Sequence, residues 1–408
     1  MHESHPTHGT INRSKDLGPT MMIVGGGIGG LTAALALQHF GMKVRVFEQA
    51  IELREIGAGV TITPNAMHAL NFLGVGNRIA AEAGPVPQYQ VCNYNTGEVL
   101  EYGPDPATIE ENFGAGYYNL HRADLHAALL DAINANDPDC IVLDHRFEHL
   151  EQHEDGVTAR FENGKSYTGA ALIGCDGGAS RVRSLVFGSK EASYTGQAAF
   201  RALVPMSDVP DEVLANPYRV YVGRGQTLVH YPLRHNSLLN VLGVALQPDW
   251  QAEGWAIPAT VDEFYGLFSD FEPNARELIK RVPPNHLFKW GLRDREPLQN
   301  WTQGRVTTLG DAAHPFLPFL GQGACMAIED GLLLGRAVAA AGGLSAAARL
   351  SEAFERYEAA RKTRANAIQL ATQEQGRQHQ GATKAGPNPG NTAASRGLYN
   401  YNPAVVPV

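Results

Sequence analysis

Three groups of glycine and acidic residues, far apart in the chain, are the residues best suited to bind a charged ligand. Gly25, Gly27 and Gly30 have the spacing G-x-G-x-x-G directly after the apolar run 22–24. In this pattern the first glycine permits a tight turn, the second lets the backbone approach a pyrophosphate, and the third lets a helix pack on a strand. The first group therefore predicts a dinucleotide-binding turn between a buried strand and a helix.

An acidic residue follows the next predicted strand. Residues 43–47 alternate between charged and apolar side chains, and Glu48 stands at their end. A carboxylate in this position can accept hydrogen bonds from both hydroxyls of an adenosine ribose. The strand, the helix, the second strand and the terminal acid together indicate that the ligand is a dinucleotide.

A second predicted binding loop lies late in the chain. Residues 306–309 form a predicted buried strand that ends at Gly310-Asp311, and ligands of α/β sheets bind at such carboxyl ends. The Asp311 carboxylate suits a polyol such as a ribityl chain. Gly321 and Gly323 then precede a predicted helix, whose first amides are free to face a ligand. The two loops predict that one long cofactor is bound at both of its ends.

With a middle acidic pair at Asp176-Gly177, the chain resembles the single-component FAD-dependent aromatic hydroxylases, the flavoprotein monooxygenases related to para-hydroxybenzoate hydroxylase. The resemblance runs from about Met21 to about Thr372 and is nearest to the salicylate, 3-hydroxybenzoate and 6-hydroxynicotinate hydroxylases. It implies FAD as the tight cofactor, NADH or NADPH as co-substrate, and O₂ as oxidant. It also implies that FAD is bound by the residues of the matching motifs, namely Gly25, Gly27, Ile28, Gly30, Glu48, Gln49, Ala58, Arg122, Asp176, Asp311, Gly321, Gly323 and Ala324.

The resemblance implies a reaction as well. NAD(P)H reduces FAD, O₂ adds to the reduced flavin to give a C4a-hydroperoxide, and this species hydroxylates an electron-rich ring. Such chemistry needs a dry pocket and a group that polarises or deprotonates the hydroxyl of the substrate. We therefore expect hydroxylation of a small aromatic acid of the hydroxybenzoate, salicylate or hydroxynicotinate type.

Three side chains are candidates for contact with that substrate. His230 and Tyr231 are neighbours in a predicted strand, so they lie on opposite faces of a sheet and cannot both point at the substrate. Related hydroxylases often carry a histidine four positions before this tyrosine, where the present chain has Thr227. We expect Tyr231 to contact the substrate hydroxyl, with Tyr117 and His230 as the further catalytic candidates.

Composition is that of a large globular enzyme. The 408 residues are 44% hydrophobic with a formal net charge of −9, which argues against nucleic acid and anionic membrane surfaces as partners. The four cysteines have neither metal-ligand spacing nor a dense disulfide pattern, so we expect no metal site and a reducing cytoplasm. No apolar run approaches the roughly 20 residues of a transmembrane helix. The expected partner is a small aromatic molecule, and the expected assembly is a monomer or a homodimer.

The pattern of elements predicts an α/β fold (α+β overall), with a Rossmann-like FAD-binding domain, an inserted antiparallel-sheet substrate domain and a C-terminal helical region. The turns Asp155-Gly156 and Asn163-Gly164 predict hairpins. The FAD-binding domain is predicted in three segments, 20–90, 121–190 and 296–372, the last of which includes the C-terminal helices. Between them lie substrate-domain strands (91–120) and the substrate domain with a sheet roofing the active site (191–295). Flexible tails are predicted at the N-terminus (1–19) and the C-terminus (373–408).

Three alternative functions stay open at this point. An FAD monooxygenase could act on a non-acid aromatic or a polycyclic substrate. An NAD-dependent dehydrogenase would share the first glycine motif, but it has no use for Gly310-Asp311. A non-catalytic flavin-binding protein would keep every motif and lack turnover.

Overall fold

The computed structural model describes residues 14–53, 58–188, 190–223, 225–250, 252, 254, 256–343, 349–379 and 392–408. The strands, in chain order, are β1 (Lys15–Asp16), β2 (Met21–Val24), β3 (Val44–Phe47), β4 (Gly59–Ile62), β5 (Gln90–Asn93), β6 (Val99–Tyr102), β7 (Tyr118–His121), β8 (Ile141–Val142), β9 (Phe147–Gln152), β10 (Val157–Phe161), β11 (Ser166–Gly169), β12 (Ala171–Gly174), β13 (Ser193–Pro205), β14 (Arg219–Val222), β15 (Gln226–Leu233), β16 (Leu238–Leu246), β17 (Ile257–Pro258), β18 (Phe288–Asp294), β19 (Thr302–Gln303) and β20 (Val306–Thr308). The helices are α1 (Ile28–His39), α2 (Pro64–Phe72), α3 (Gly76–Ala83), α4 (Pro106–Phe113), α5 (Arg122–Asn136), α6 (Arg181–Phe187), α7 (Asp211–Leu214), α8 (Val261–Leu267), α9 (Pro273–Lys280), α10 (Gly323–Ala340) and α11 (Leu350–His379).

A six-stranded sheet in the order β19-β20-β12-β2-β3-β8 organises the Rossmann-like region of the fold. Its neighbouring strands are parallel except for β19, which pairs antiparallel with β20. The carboxyl ends of β2, β12 and β20 therefore meet at one edge of the sheet. In α/β sheets this is the edge where ligands bind.

Both faces of the six-stranded sheet are covered, which explains why its strands are continuously apolar. Met21 and Ile23 on β2 face a core shared with α1, α5 and α10. Met22 and Val24 face the opposite way, into a core shared with the small sheet β1-β11-β10-β9. The turns at 155–156 and 163–164 connect β9 with β10 and β10 with β11, as the hairpin signals predicted.

An eight-stranded sheet, β17-β18-β13-β16-β15-β14-β5-β6, forms the second large element. It is antiparallel apart from the pair β14 and β5. One face packs on α8 and α9, where the Phe200 and Phe264 rings stack with centroids 5.3 Å apart. The other face is turned toward the ligand edge of the six-stranded sheet, so this sheet is the roof that the strand-rich stretch predicted.

Both ends of the described chain are more ordered than the sequence suggested. Residues 15–16 were expected in a flexible tail, but they form β1, which pairs parallel with β11. Residues 392–408 were also expected to be flexible, yet Leu398 and Tyr399 are buried in the main core. Residues 1–13 and 380–391 of the predicted tails lie outside the described residues. No helix in the described ranges has the length and apolar character that a membrane span requires.

Candidate active site

A cavity of about 910 Å³ lies between the ligand edge of the six-stranded sheet and the roof sheet. The turn after β2, the loop after β20 and the first residues of α10 border it on one side. Side chains of the roof border it on the other. The cavity is therefore bounded by both predicted cofactor loops and by the predicted substrate domain.

The first glycine motif is shaped by close backbone contacts. Gly25 has a positive φ of 108°, and a Cβ atom there would lie 2.3 Å from the Cys175 carbonyl oxygen. A Cβ on Gly30 would lie 2.0 Å from the Gly25 carbonyl oxygen. Around Gly27, by contrast, nothing lies within 4 Å of the Cβ position, and this residue borders the cavity. Gly25 and Gly30 are thus required by the fold, whereas Gly27 leaves room for a ligand.

Helices α1 and α10 begin at the same cavity. Neither helix has a side-chain cap at its N-terminus, so their first amides are available to a ligand. The helices approach closely because a Cβ on Gly331 would lie 2.8 Å from the Ala33 nitrogen. Ile28 and Gly29 of α1, and Gly323 and Ala324 of α10, therefore border one shared space. Two positive helix ends of this kind favour a ligand with negative charge.

Asp311 faces the cavity from the loop after β20. The protein that surrounds this side chain raises the pKa of its carboxyl by burial, while the nearby His314 and Arg122 side chains act in the opposite direction. The backbone amide of Gly310, which precedes it, donates to Asp330 Oδ2 over 3.0 Å. The loop is thus held from behind, and Asp311 is left to face a ligand.

A buried ionic cluster behind this loop connects it to the two C-terminal helices. Asp330 on α10 lies 2.5 Å from His314 Nε2 and 2.7 Å from Nε of Arg361 on α11. All three side chains are fully buried. Burial alone would raise the pKa of Asp330, but the His314 and Arg361 side chains lower it to about 2. Asp330 is therefore a carboxylate that fixes the Asp311 loop and does not face the cavity.

The adenosine side of the expected site lies at the end of β3. Glu48 accepts hydrogen bonds from the amides of Gly26 (2.7 Å) and Ala50 (2.9 Å), which fixes its carboxylate beside the glycine turn. Ala58 and Arg122 border the cavity, and the Arg122 amide donates to the Ala58 carbonyl over 2.7 Å. Gln49 is exposed and does not border the cavity.

Asp176 differs from its expected role as a cofactor ligand. Its carboxylate accepts hydrogen bonds from the Ser180 hydroxyl (2.5 Å) and from the amides of Arg181 (2.7 Å) and Val182 (3.0 Å). It therefore caps the N-terminus of α6 and is not among the residues that border the cavity. Gly177 does border it, so this motif reaches the cavity through backbone.

FAD fits the observed cradle. The open space at Gly27, Gly321 and Gly323 would be filled by a Cβ atom and is free for a ligand. The two uncapped helix N-termini match the negative pyrophosphate and the electron-rich pyrimidine edge of a flavin. Asp311 and Glu48 supply carboxylates at the places where hydroxyl groups of the cofactor would lie. We find no group of three or more metal-ligating side chains in the described ranges.

A cluster of tyrosine hydroxyls forms the cavity wall near the roof. The hydroxyl oxygens of Tyr117 and Tyr218 lie 2.8 Å apart. Thr61 donates to Asn119 Oδ1 over 2.9 Å and also hydrogen bonds with the Tyr218 and Tyr231 hydroxyls. Burial raises the pKa of Tyr231 to about 12, although Arg201 and Thr61 act against it. These tyrosines are therefore neutral hydrogen-bond donors near neutral pH.

His230 does not face the cavity, so its place among the catalytic candidates was wrong. It is fully buried on the opposite face of β15, with Nδ1 2.9 Å from the Pro217 carbonyl oxygen. Burial lowers its pKa to about 4. The predicted alternation puts Tyr231 on the cavity face, together with Thr227. A neutral histidine on the far face of the sheet is a structural residue.

The structure adds four side chains that the sequence reasoning missed. Arg201 on β13 borders the cavity, and its guanidinium carbon lies 4.7 Å from the centroid of the Trp290 ring. A single cation within an apolar strand was a readable signal for this residue. No comparable signal marked the others, because loops remote in sequence bring them to the cavity. They are Thr61, Tyr218 and Tyr399.

Known proteins resemble this chain along most of its length. The family model described as FAD binding domain matches residues 19–372. A 3-hydroxybenzoate 6-hydroxylase of Polaromonas naphthalenivorans (strain CJ2) is 37% identical over 358 residues, which are 88% of this chain and 87% of that protein. A 6-hydroxynicotinate 3-monooxygenase of Pseudomonas fluorescens is 33% identical over 358 residues, or 86% of this chain and 89% of that protein.

Solved structures share the fold as well. Klebsiella pneumoniae HpxO complexed with FAD and uric acid superposes with a TM-score of 0.78 at 26% identity, covering 95% of this chain and 93% of that chain. A salicylate hydroxylase in a substrate complex superposes with a TM-score of 0.80 at 23% identity, covering 95% and 96%. The second likeness concerns the fold alone.

Proposed function

This chain belongs to the FAD binding domain family and, within it, to the flavin-dependent aromatic hydroxylases, and from that premise we propose that it hydroxylates the ring of a small aromatic acid. The protein is an FAD-dependent monooxygenase that uses NAD(P)H and O₂. When bound, FAD supplies hydride acceptance and oxygen activation. In the balanced reaction the acid, NAD(P)H, H⁺ and O₂ yield the hydroxylated acid, NAD(P)⁺ and water. Family membership answers the dehydrogenase and non-catalytic alternatives.

One observation carries the choice of substrate class, namely that Arg201 and Tyr231 lie on the same cavity face of the roof. Tyr231 on β15 pairs with Asn240 on β16, and Arg201 on β13 pairs with Leu242 on β16. Two strand spacings and a shift of two residues separate their Cα atoms by roughly 12 Å. An aromatic acid bridges this gap once both side chains extend toward it, with its carboxylate on the arginine and its hydroxyl on the tyrosine.

The proposed roles follow from the charge states of these groups. The Arg201 guanidinium pairs with the carboxylate and fixes the ring in position. Tyr231 stays protonated, so it donates to the substrate hydroxyl and stabilises the phenolate, whose ring is more electron-rich. Apolar side chains of the roof, including Val229, Leu242 and Val244, exclude water from the reacting ring.

The FAD roles are proposed on the same footing. The amides at Gly27, Ile28 and Gly29 suit the pyrophosphate, and Glu48 suits the adenosine ribose. The loop after β20 suits the ribityl chain through Asp311. The remaining proposed contacts come from backbone and side chains that border the same cavity, namely Ala58, Arg122, Gly321, Gly323 and Ala324.

The finer expectations on assembly and location are proposed as well. We propose a monomer or homodimer that acts in the cytoplasm. All four cysteines are free, as a reducing compartment favours.

A substrate panel tests the proposed function. Hydroxybenzoates, salicylate and hydroxynicotinates are added to the FAD-loaded enzyme with NADH or NADPH, and NAD(P)H oxidation, O₂ uptake and product mass are followed. A true substrate gives a product heavier by one oxygen atom in step with NAD(P)H use. If no aromatic acid stimulates NAD(P)H oxidation, the substrate class is wrong. If the matching phenols without a carboxylate react equally well, the enzyme acts on non-acid aromatics.

A further inference from the structure

The C-terminal segment, residues 392–408, contributes to the wall of the cavity. Thr392, Ala393 and Tyr399 border the cavity directly. This segment lies beyond residue 372, where the match to the family model ends. A portion of the wall around the proposed substrate site is therefore built by residues that family membership does not describe.

Arginines of α10 and α11 hold this segment in place. Arg336 Nη1 donates to the carbonyls of Pro403 (2.6 Å) and Val406 (2.8 Å). Arg364 Nη2 donates to the Leu398 carbonyl over 3.2 Å, and its guanidinium carbon lies 4.0 Å from the centroid of the Tyr401 ring. The segment is thus fastened on both sides of Tyr399 and does not lie loosely over the cavity.

The same arginines connect the segment to the cofactor cradle. Arg364 and Arg361 pair with Glu329 on α10 over 3.0 Å and 2.6 Å. Glu329 lies two turns from Gly323, where α10 begins at the cavity. The position of Tyr399 is therefore fixed relative to the helix end that faces the flavin site.

Tyr399 is a well-packed residue of this wall. Only 3% of its surface is exposed, and its ring meets Phe113 edge-on with centroids 5.5 Å apart. The Tyr117 ring lies 6.1 Å away on the other side. Burial raises the pKa of Tyr399 well above its usual value, so the side chain is a neutral ring with a hydroxyl donor. Such a ring limits how far a flat ligand extends along the cavity.

We propose that Tyr399, presented by the C-terminal segment, is a specificity-determining residue that restricts the cavity to single-ring substrates. This inference rests on the proposed hydroxylation of an aromatic ring. The tyrosine ring occupies about the space that a second fused ring of a substrate would need. Its removal enlarges the cavity at the end formed with Tyr117 and leaves Tyr231 and Arg201 in place.

The test compares ligands of one and two rings in three variants. Tyr399→Ala and the milder Tyr399→Leu enlarge the cavity, while Tyr399→Phe keeps the ring. Turnover is measured with a hydroxybenzoate and a hydroxynaphthoate. We expect both enlarged variants to raise the hydroxynaphthoate-to-hydroxybenzoate ratio of kcat/KM by roughly tenfold or more, because removing a steric block of this size changes discrimination by that order. Tyr399→Phe keeps the parent ratio.

A second measurement separates this inference from the proposed function. Phenol and naphthol are titrated into each FAD-loaded variant, and binding is followed by perturbation of the flavin absorbance, without turnover. Tyr102→Ala, at a side chain 58% exposed on β6, is the matched control and keeps the parent ratio. A parent that binds naphthol as tightly as phenol, or enlarged variants with an unchanged ratio, would overturn the inference. A lack of turnover with every acid, alongside a changed binding ratio, counts against the proposed function alone.

Discussion

The hydroxyl of Tyr117 lies 2.8 Å from the hydroxyl of Tyr218, although the two residues are 101 positions apart in the chain. Tyr117 precedes β7, and Tyr218 precedes β14 of the roof. Burial raises the pKa of both hydroxyls, so the pair is a neutral hydrogen-bonded contact between the cofactor-binding region and the roof. Their contact sets the height of the cavity next to Tyr231, whose ring centroid lies 5.4 Å from that of Tyr218.

Tyr231→Phe should uncouple NAD(P)H use from product formation. The variant lacks the hydroxyl that we propose donates to the substrate phenolate, and a hydrogen bond to a charged group contributes about 1.5–3 kcal/mol. We expect turnover to product to fall about 10- to 100-fold, with H₂O₂ released instead. The measurement is the ratio of product to NAD(P)H consumed. Tyr265→Phe on α8, at the other face of the roof, is the matched control, and parent-like coupling in Tyr231→Phe would remove Tyr231 from the mechanism.

Arg201→Gln should weaken binding of the acid and spare its uncharged analogue. The guanidinium is the proposed partner of the carboxylate, and loss of such a pair raises KM about 10- to 100-fold. Steady-state kinetics with the acid and with the corresponding phenol measure the difference. Arg201→Lys keeps the charge and should recover some of the affinity. An equal rise in KM for both ligands would point to a general structural effect.

Asp311→Ala should weaken FAD binding. The carboxylate faces the cavity from the loop after β20, and removing its hydrogen bonds to cofactor hydroxyls should raise the Kd of FAD about 10- to 100-fold. Titration of the apoprotein by flavin fluorescence gives the Kd. Asp176→Ala supplies the contrast, because that side chain caps α6. Its expected effect is a loss of about 1 kcal/mol of stability with little change in Kd.

Asp330→Asn should destabilise the protein strongly. The carboxylate pairs with Arg361 in a fully buried position, and removing one partner of a buried ion pair costs about 3–5 kcal/mol. The pKa of Asp330, lowered from 3.8 to about 2, means that its stabilising effect is complete above pH 3.8 and is lost as pH falls through 2. Urea unfolding measures the change, and Glu352→Gln, in an exposed pair, is the control. A loss below about 1 kcal/mol would contradict this role.

His230 should contribute to acid instability. Burial lowers its pKa from 6.5 to about 4, so the unfolded chain binds a proton more readily than the folded one. Stability therefore falls as pH drops below 6.5, by about 3 kcal/mol at pH 4. His230→Asn retains a donor for the Pro217 carbonyl and removes this titration. Urea unfolding between pH 7 and pH 4 should give a shallower pH dependence for the variant, and identical slopes would refute it.

The cofactor loops were predictable because their signals are local. The spacing of Gly25, Gly27 and Gly30 encodes one turn between one strand and one helix, and the structure has that turn. The opposite orientation of His230 and Tyr231 was predictable for the same reason. Which of the two faces the cavity depends on how the roof packs on the rest of the protein, and a single strand carries no record of that.

The errors arose where partners are remote in sequence. Asp176 stands in a family motif, and its capping of α6 depends on the local placement of Ser180, a signal that was overlooked. Residues 392–408 looked flexible because their composition is polar and rich in small residues. Their order comes from Arg336 and Arg364 on other helices, which no local pattern reveals.

The strand order β20-β12-β2 has a consequence for how the protein reaches its native state. The three strands come from the beginning, the middle and the late region of the chain, with the roof sheet inserted before β20. Parallel pairing between such remote segments closes large loops, which slows folding and leaves strand edges exposed in the meantime. FAD binds the loops that follow these strands, so by mass action it favours only the completed sheet. The supply of flavin during synthesis then governs how much of the chain escapes aggregation, quite apart from its use in turnover.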